Sequence, residues 1–105
     1  MIAMNAEMFN QYLNEGSKPV LVEFWAPWCV YCRRIAPVLK KMAQEREDVV
    51  IAQINIDEEP LLAHQEHIEV LPTLILYQNG QALGSFVAPE AKAKIEEFLE
   101  DNLGF

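Results

Sequence analysis

The chain carries two cysteines, Cys29 and Cys32, three positions apart. Two thiols at that spacing suit dithiol–disulfide exchange, in which one thiolate attacks a substrate disulfide and the other resolves the mixed disulfide. Two are too few for a disulfide framework or a four-thiolate zinc site. A structural disulfide, two inert core thiols, or half of a metal site shared between chains are the alternatives. The context favours exchange, because Trp28-Cys29-Val30-Tyr31-Cys32 follows an apolar run and opens a helical pattern. A helix N-terminus offers unpaired N–H donors and a partial positive charge that stabilise a thiolate. Cys29 is expected at that terminus, exposed and acidified. Cys32 is expected nearly one turn further in and shielded.

The elements that must position this pair are legible on either side of it. Val20 to Trp25 is apolar on both faces except for Glu23, the pattern of a central buried strand. Ala26-Pro27-Trp28 breaks it. The following helix carries Cys32, Ile35, Leu39 and Met42 on one stripe, with Pro37 inside the pattern as an expected kink. Upstream, Ile2 to Met4 can form a very short edge strand, and Asn5 caps a helix that closes at Gly16. Downstream, Val49 to Ile56 reads as a second buried strand, and Leu61 to Glu66 as a short helix behind Pro60. Thr73–Tyr77 and Ala82–Val87 flank Asn79-Gly80, a strong signal for a two-residue antiparallel hairpin. Glu90 to Asp101 reads as a last helix with Ala91, Ile95, Phe98 and Leu99 inward. Two doubly apolar strands need cover on both sides, so the expected class is α/β, a mixed central sheet flanked by helices.

Composition narrows the function classes. At 105 residues, one domain spanning 1–105 is expected. An apolar share of 51% supplies a core and excludes a disordered chain. The net charge of −8 argues against nucleic acid or an anionic membrane as partner, since both are polyanions. The first residues have no basic segment followed by a long apolar one, so a cytoplasmic protein is expected, in monomeric form. The uncharged stretch Val70 to Pro89 is interrupted by Gln78-Asn79-Gly80-Gln81 and reads as a hairpin rather than a membrane span. His64 and His67 lack nearby cysteines or a matched carboxylate set and read as surface residues, so no metal is expected.

Several of these segments together resemble the thioredoxin family. The carriers are Phe24-Trp25-Ala26-Pro27-Trp28-Cys29-Val30-Tyr31-Cys32, then Ile35-Ala36-Pro37-Val38-Leu39, Ile54-Asn55-Ile56-Asp57, Leu71-Pro72-Thr73 and Asn79-Gly80. The resemblance covers nearly the whole chain in order, and it implies a thioredoxin fold. It implies that Cys29 is the nucleophile, Cys32 the resolving thiol and Trp28 a flank of the site. It implies a cis Leu71-Pro72 bond beside the sulfurs, with Leu71 backbone groups free to pair with an extended substrate. Trp28, Val30, Tyr31, Val70, Leu71, Pro72 and Ala88 are thereby expected to form the substrate-binding groove.

Departures from the family pattern carry information too. Val30-Tyr31 stands where Gly-Pro is typical, and Val70 and Ala88 stand where glycines are usual. Gln53 replaces a lysine that usually pairs with the buried acid, and that acid is Glu23 instead of aspartate. Burial should raise the Glu23 pKa, letting it exchange a proton with Cys32 through water as a third catalytic residue. Tyr31 restores an N–H that proline lacks, which should stabilise the Cys29 thiolate and make the disulfide more oxidising. The expected function is reduction of protein disulfides with no bound cofactor, on disulfide-containing clients, with electrons from a reductase resembling thioredoxin reductase. Val70 and Ala88 put productive docking of a standard reductase in question. The alternatives are a more oxidising oxidase or isomerase with narrower clients, and a non-catalytic binding module of the same fold.

Overall fold

The structure, a computed structural model, describes residues 1–104. The elements run β1 (Ile2–Ala3), α1 (Ala6–Glu15), β2 (Val20–Trp25), α2 (Val30–Glu45), β3 (Val50–Asn55), α3 (Pro60–Gln65), β4 (Thr73–Gln78), β5 (Gln81–Val87) and α4 (Lys92–Leu103). The strands form one mixed sheet in the order β1-β3-β2-β4-β5. β3 pairs in parallel with β1 and β2, while β4 runs antiparallel to β2 and β5. β2 is central, as its apolar run requires, and all of its residues but Trp25 are buried.

Alternation along β2 sorts its side chains between two layers. Val20, Val22 and Phe24 join Phe9 of α1 and Leu62 of α3 on one face. Leu21 meets Ile35, Leu39 and Met42 of α2 and Ile95 and Leu99 of α4 on the other. Glu23 shares the parity of Leu21, so its carboxylate points toward α2. That one-residue alternation places an acid under the cysteine helix.

The turn at Asn79-Gly80 has positive φ at both residues, 55° and 78°, as a two-residue hairpin demands. At Gly84 of β5 an added Cβ would lie 2.7 Å from the Asn102 side chain, so glycine there lets α4 press against the edge strand. Asn5 caps α1 as expected, its side chain accepting from the Met8 N–H at 2.8 Å. α2 runs on through Pro37. The last helix begins later than its apolar pattern suggests: Ala91 is its exposed N-cap, in extended conformation, and only Ile95 and Leu99 are fully buried. Just upstream, the Ala88 N–H donates to the Pro72 carbonyl and the Pro89 carbonyl accepts from Tyr31 of α2. Among the described residues no helix is long and apolar enough to cross a membrane.

Candidate functional site

Cys29 is the N-cap of α2 and lies where β2 hands the chain to that helix. Its Sγ accepts from the Cys32 N–H at 3.2 Å, and its own N–H donates to the Ala26 carbonyl at 3.1 Å. Cys29 and Cys32 are joined as a disulfide, with Cα atoms 5.3 Å apart. Cys32 is 1% exposed and Cys29 9%. The order matches the expectation, but Cys29 is far less open than an exposed thiol would be. Ala26, Trp25, Ile56 and Leu71 pack around the sulfur pair and cover it. The donor at Cys29 Sγ also differs from the expectation: in the disulfide form it is the Cys32 N–H rather than that of Tyr31.

The Leu71–Pro72 peptide bond is cis. Neither the N–H nor the carbonyl of Leu71 has a hydrogen-bond partner among the described residues. The segments around the sulfurs are held by hydrogen bonds within and between them. The Thr73 hydroxyl donates to the Val70 carbonyl, the Ala88 N–H to the Pro72 carbonyl at 2.8 Å, and the Tyr31 hydroxyl to the Pro89 carbonyl. Ala88 sits at φ 46°, in the left-handed region that favours glycine. Trp28, Val30 and Val70 stand out at 65%, 56% and 52% exposed. Tyr31 and Ala88 are partly open beside them, and Pro72 is buried. The seven expected groove residues therefore fall on the start of α2 with the Trp28 turn before it, the Val70–Pro72 loop and the Ala88 loop, which converge on the disulfide.

Below Cys32 the surroundings change. Glu23 is 2% exposed, and its Oε2 has no hydrogen-bond partner. Loss of hydration pushes its carboxyl up from 4.5 to about 7. Gln53 lies directly opposite in the parallel register and brings no positive charge. A cavity of about 430 Å³ connects these groups, lined among others by Glu23, Gln53, Cys32, Arg33 and Lys40. A space of that size bordered by a carboxylate can hold the water that a proton relay needs.

Two site contacts were not legible in the sequence. The Trp28 indole N–H donates to both carboxylate oxygens of Asp57, at 3.1 and 3.3 Å, which fixes the ring over the end of β3. The only signal for it is Asp57 at the end of the second expected buried strand. The Tyr31–Pro89 bond joins residues 58 positions apart and had no local signal. His64 and His67 are exposed, and no group of three or more His, Cys, Asp or Glu side chains is placed to hold a metal among the described residues.

Comparison with known proteins agrees with this geometry. Residues 1–101 match the family described as thioredoxin. Thioredoxin 1 of Synechococcus elongatus is 39% identical over 102 residues, covering 96% of this chain and 95% of that protein. The thioredoxin of Alicyclobacillus acidocaldarius is 42% identical over 85% of this chain and 86% of its own length. A protein of Mycobacterium leprae named bifunctional thioredoxin reductase/thioredoxin is 38% identical over 92% of this chain, the match covering 21% of that longer protein.

Proposed function

The chain belongs to the thioredoxin family and is a thiol–disulfide oxidoreductase, and from that premise we propose that Cys29 attacks client disulfides and Cys32 resolves the product. In the reduced protein the Cys29 thiolate attacks one sulfur of a client disulfide. A Cys29–client disulfide forms and one client thiolate leaves. Cys32, deprotonated, then attacks the Cys29 sulfur, expels the second client thiolate and closes the Cys29–Cys32 disulfide. Two electrons pass to the client, whose two thiolates take up protons. The redox centre is the chain's own pair of sulfurs, and no bound cofactor enters the cycle.

The observation that carries these roles is the asymmetry of the pair: Cys29 caps the helix and is the less buried of the two, at 9% against 1%, while Cys32 borders the Glu23 cavity. Glu23, held near neutrality, accepts the Cys32 proton through water during resolution and returns it in the reverse direction. Trp28, Val30, Tyr31, Val70, Leu71, Pro72 and Ala88 form the docking groove. The unpaired backbone of Leu71 takes an extended client segment by strand addition. The electron donor is a reductase of the thioredoxin reductase type, a reading supported by the Mycobacterium relative whose name joins the two activities. Ala88, in a conformation glycine enters freely, and Val70 add side chains where such a donor approaches.

A reductant recharged in this way belongs in a reducing compartment, which fits the cytoplasm, and a net charge of −8 fits protein clients better than polyanions. The protein acts as a monomer and as one domain, since the groove and the proton path are complete within one chain. A second reading, a more oxidising oxidase or isomerase, rests on Tyr31 between the cysteines. Insulin reduction driven by dithiothreitol tests the proposal: wild type should accelerate it and Cys29→Ser should not. Reduction by thioredoxin reductase, compared with reduction by glutathione, separates the two readings.

A further inference from the structure

The loop that leads into α4 is held from two sides. Ala88 donates its N–H to the Pro72 carbonyl at 2.8 Å, while the next residue, Pro89, accepts from the Tyr31 hydroxyl. Between those anchors Ala88 adopts φ 46°. An L side chain enters that region at an energetic cost, because its Cβ crowds the following carbonyl. Such a conformation persists only where its surroundings hold it. Were the Pro89 carbonyl released, Ala88 would relax to negative φ, and its N–H would swing away from Pro72. The wall of the groove beside Leu71 would move with it.

The geometry points to Tyr31 as a positioning residue for client binding: its hydroxyl latches the Pro89 carbonyl, holds Ala88 left-handed, and so keeps the groove preformed for an extended segment of a protein client. The inference rests on the reading of this site as a protein-disulfide reductase. The residue between the cysteines thereby acts on substrate selection as well as on the sulfurs. A preformed groove spares the client complex the ordering of a loop. Protein disulfides, whose flanking residues run along the groove, gain most from this. A small soluble disulfide touches the sulfurs and little of the wall.

The test is a double-mutant cycle with Tyr31→Phe, which keeps the ring and removes the hydroxyl, and Ala88→Gly, which holds φ 46° without strain. Steady-state KM and kcat are measured for insulin and for hydroxyethyl disulfide, with thermal unfolding as the check that each variant is folded. Tyr31→Phe should raise the insulin KM about fivefold, as expected for one lost hydrogen bond, with a smaller change in kcat. The KM change for hydroxyethyl disulfide should be clearly smaller. In the Ala88→Gly background the same substitution should change the insulin KM by under about twofold, because glycine no longer needs the latch. Equal KM changes in both backgrounds, equal changes for both substrates, or no change at all would each overturn the latch. None of these results touches the reductase reading, which falls only if Cys29→Ser keeps its activity.

Discussion

On the Cys29 side of the disulfide the protein presents exposed Trp28, Val30 and Val70 to solvent; on the Cys32 side it buries the carboxylate of Glu23 with Oε2 unpartnered. The two cysteines lie three residues apart at the start of one helix, yet their surroundings differ sharply. In the proposed function the outer side receives client surfaces, which suits exposed apolar groups with free backbone beside them. In the proposed cycle the inner side moves one proton at neutral pH, which suits a single carboxylate whose pKa burial has raised to about 7. Neither side alone performs the exchange. The proposed proton transfer gives a reason for an uncompensated buried acid in the centre of the sheet, which stability alone would not favour.

The largest effects should come from the sulfurs themselves. Cys29→Ser should lower insulin reduction by at least about 10³-fold, the scale seen when a nucleophile is removed. Cys32→Ser should instead accumulate mixed disulfides with clients, read on non-reducing gels, because attack survives and resolution does not. If the two variants behaved alike, the division between an outer and an inner sulfur would fail.

Next in size is Glu23→Gln. Turnover at neutral pH should fall about tenfold, less than a full general acid–base contribution because water can partly substitute. Stability should move the other way. The folded pKa of Glu23 lies above its unfolded value of 4.5, so the native state holds the proton more tightly as pH rises from 4.5 to about 7. Glu23 therefore costs nothing below about 4.5, and its cost is fully present above about 7. The variant should gain up to about 3 kcal/mol at pH 8 and nothing at pH 4, checked by urea unfolding at the two values. A gain that did not depend on pH would show that the carboxylate is not the strained group.

On the outer side, Trp28→Ala should raise the KM for insulin about fivefold with less effect on kcat, since an exposed anchor held by Asp57 is lost from the groove. The smallest effect should be on poise. Tyr31→Pro removes one N–H from the first turn of α2, next to the helix end that stabilises the thiolate. The potential should fall by up to about 30 mV, toward the value of about −270 mV commonly cited for thioredoxins, as read by equilibration against a reference dithiol. A rise would assign the poise to other groups.

Much of this site is written in local pattern. The spacing of Cys29 and Cys32, the doubly apolar run of β2 and the stripe of Cys32, Ile35 and Leu39 place one cysteine at a helix start and a more deeply buried one behind it, because alternation and helical periodicity act over a few residues. Asn79-Gly80 announces its hairpin for the same reason. The cis Leu71–Pro72 bond is a different case, since only the resemblance to the family pointed to it.

What tertiary structure alone decided are the contacts between segments far apart in the chain. Ala91 reads as part of a helix, but it is the extended N-cap of α4, behind a loop that Tyr31 and Pro72 engage. Cys29 reads as exposed, but Leu71 and Ile56 close over the sulfurs. The Glu23 cavity joins residues of two strands to Cys32 and Lys40 of a helix, and the Trp28 ring finds Asp57 across the end of a neighbouring strand. Residue type and spacing set which face a side chain takes, because that depends on backbone geometry within a turn or a pleat. Which group meets it there depends on strand order and loop closure, and those emerge only when the whole sheet is assembled.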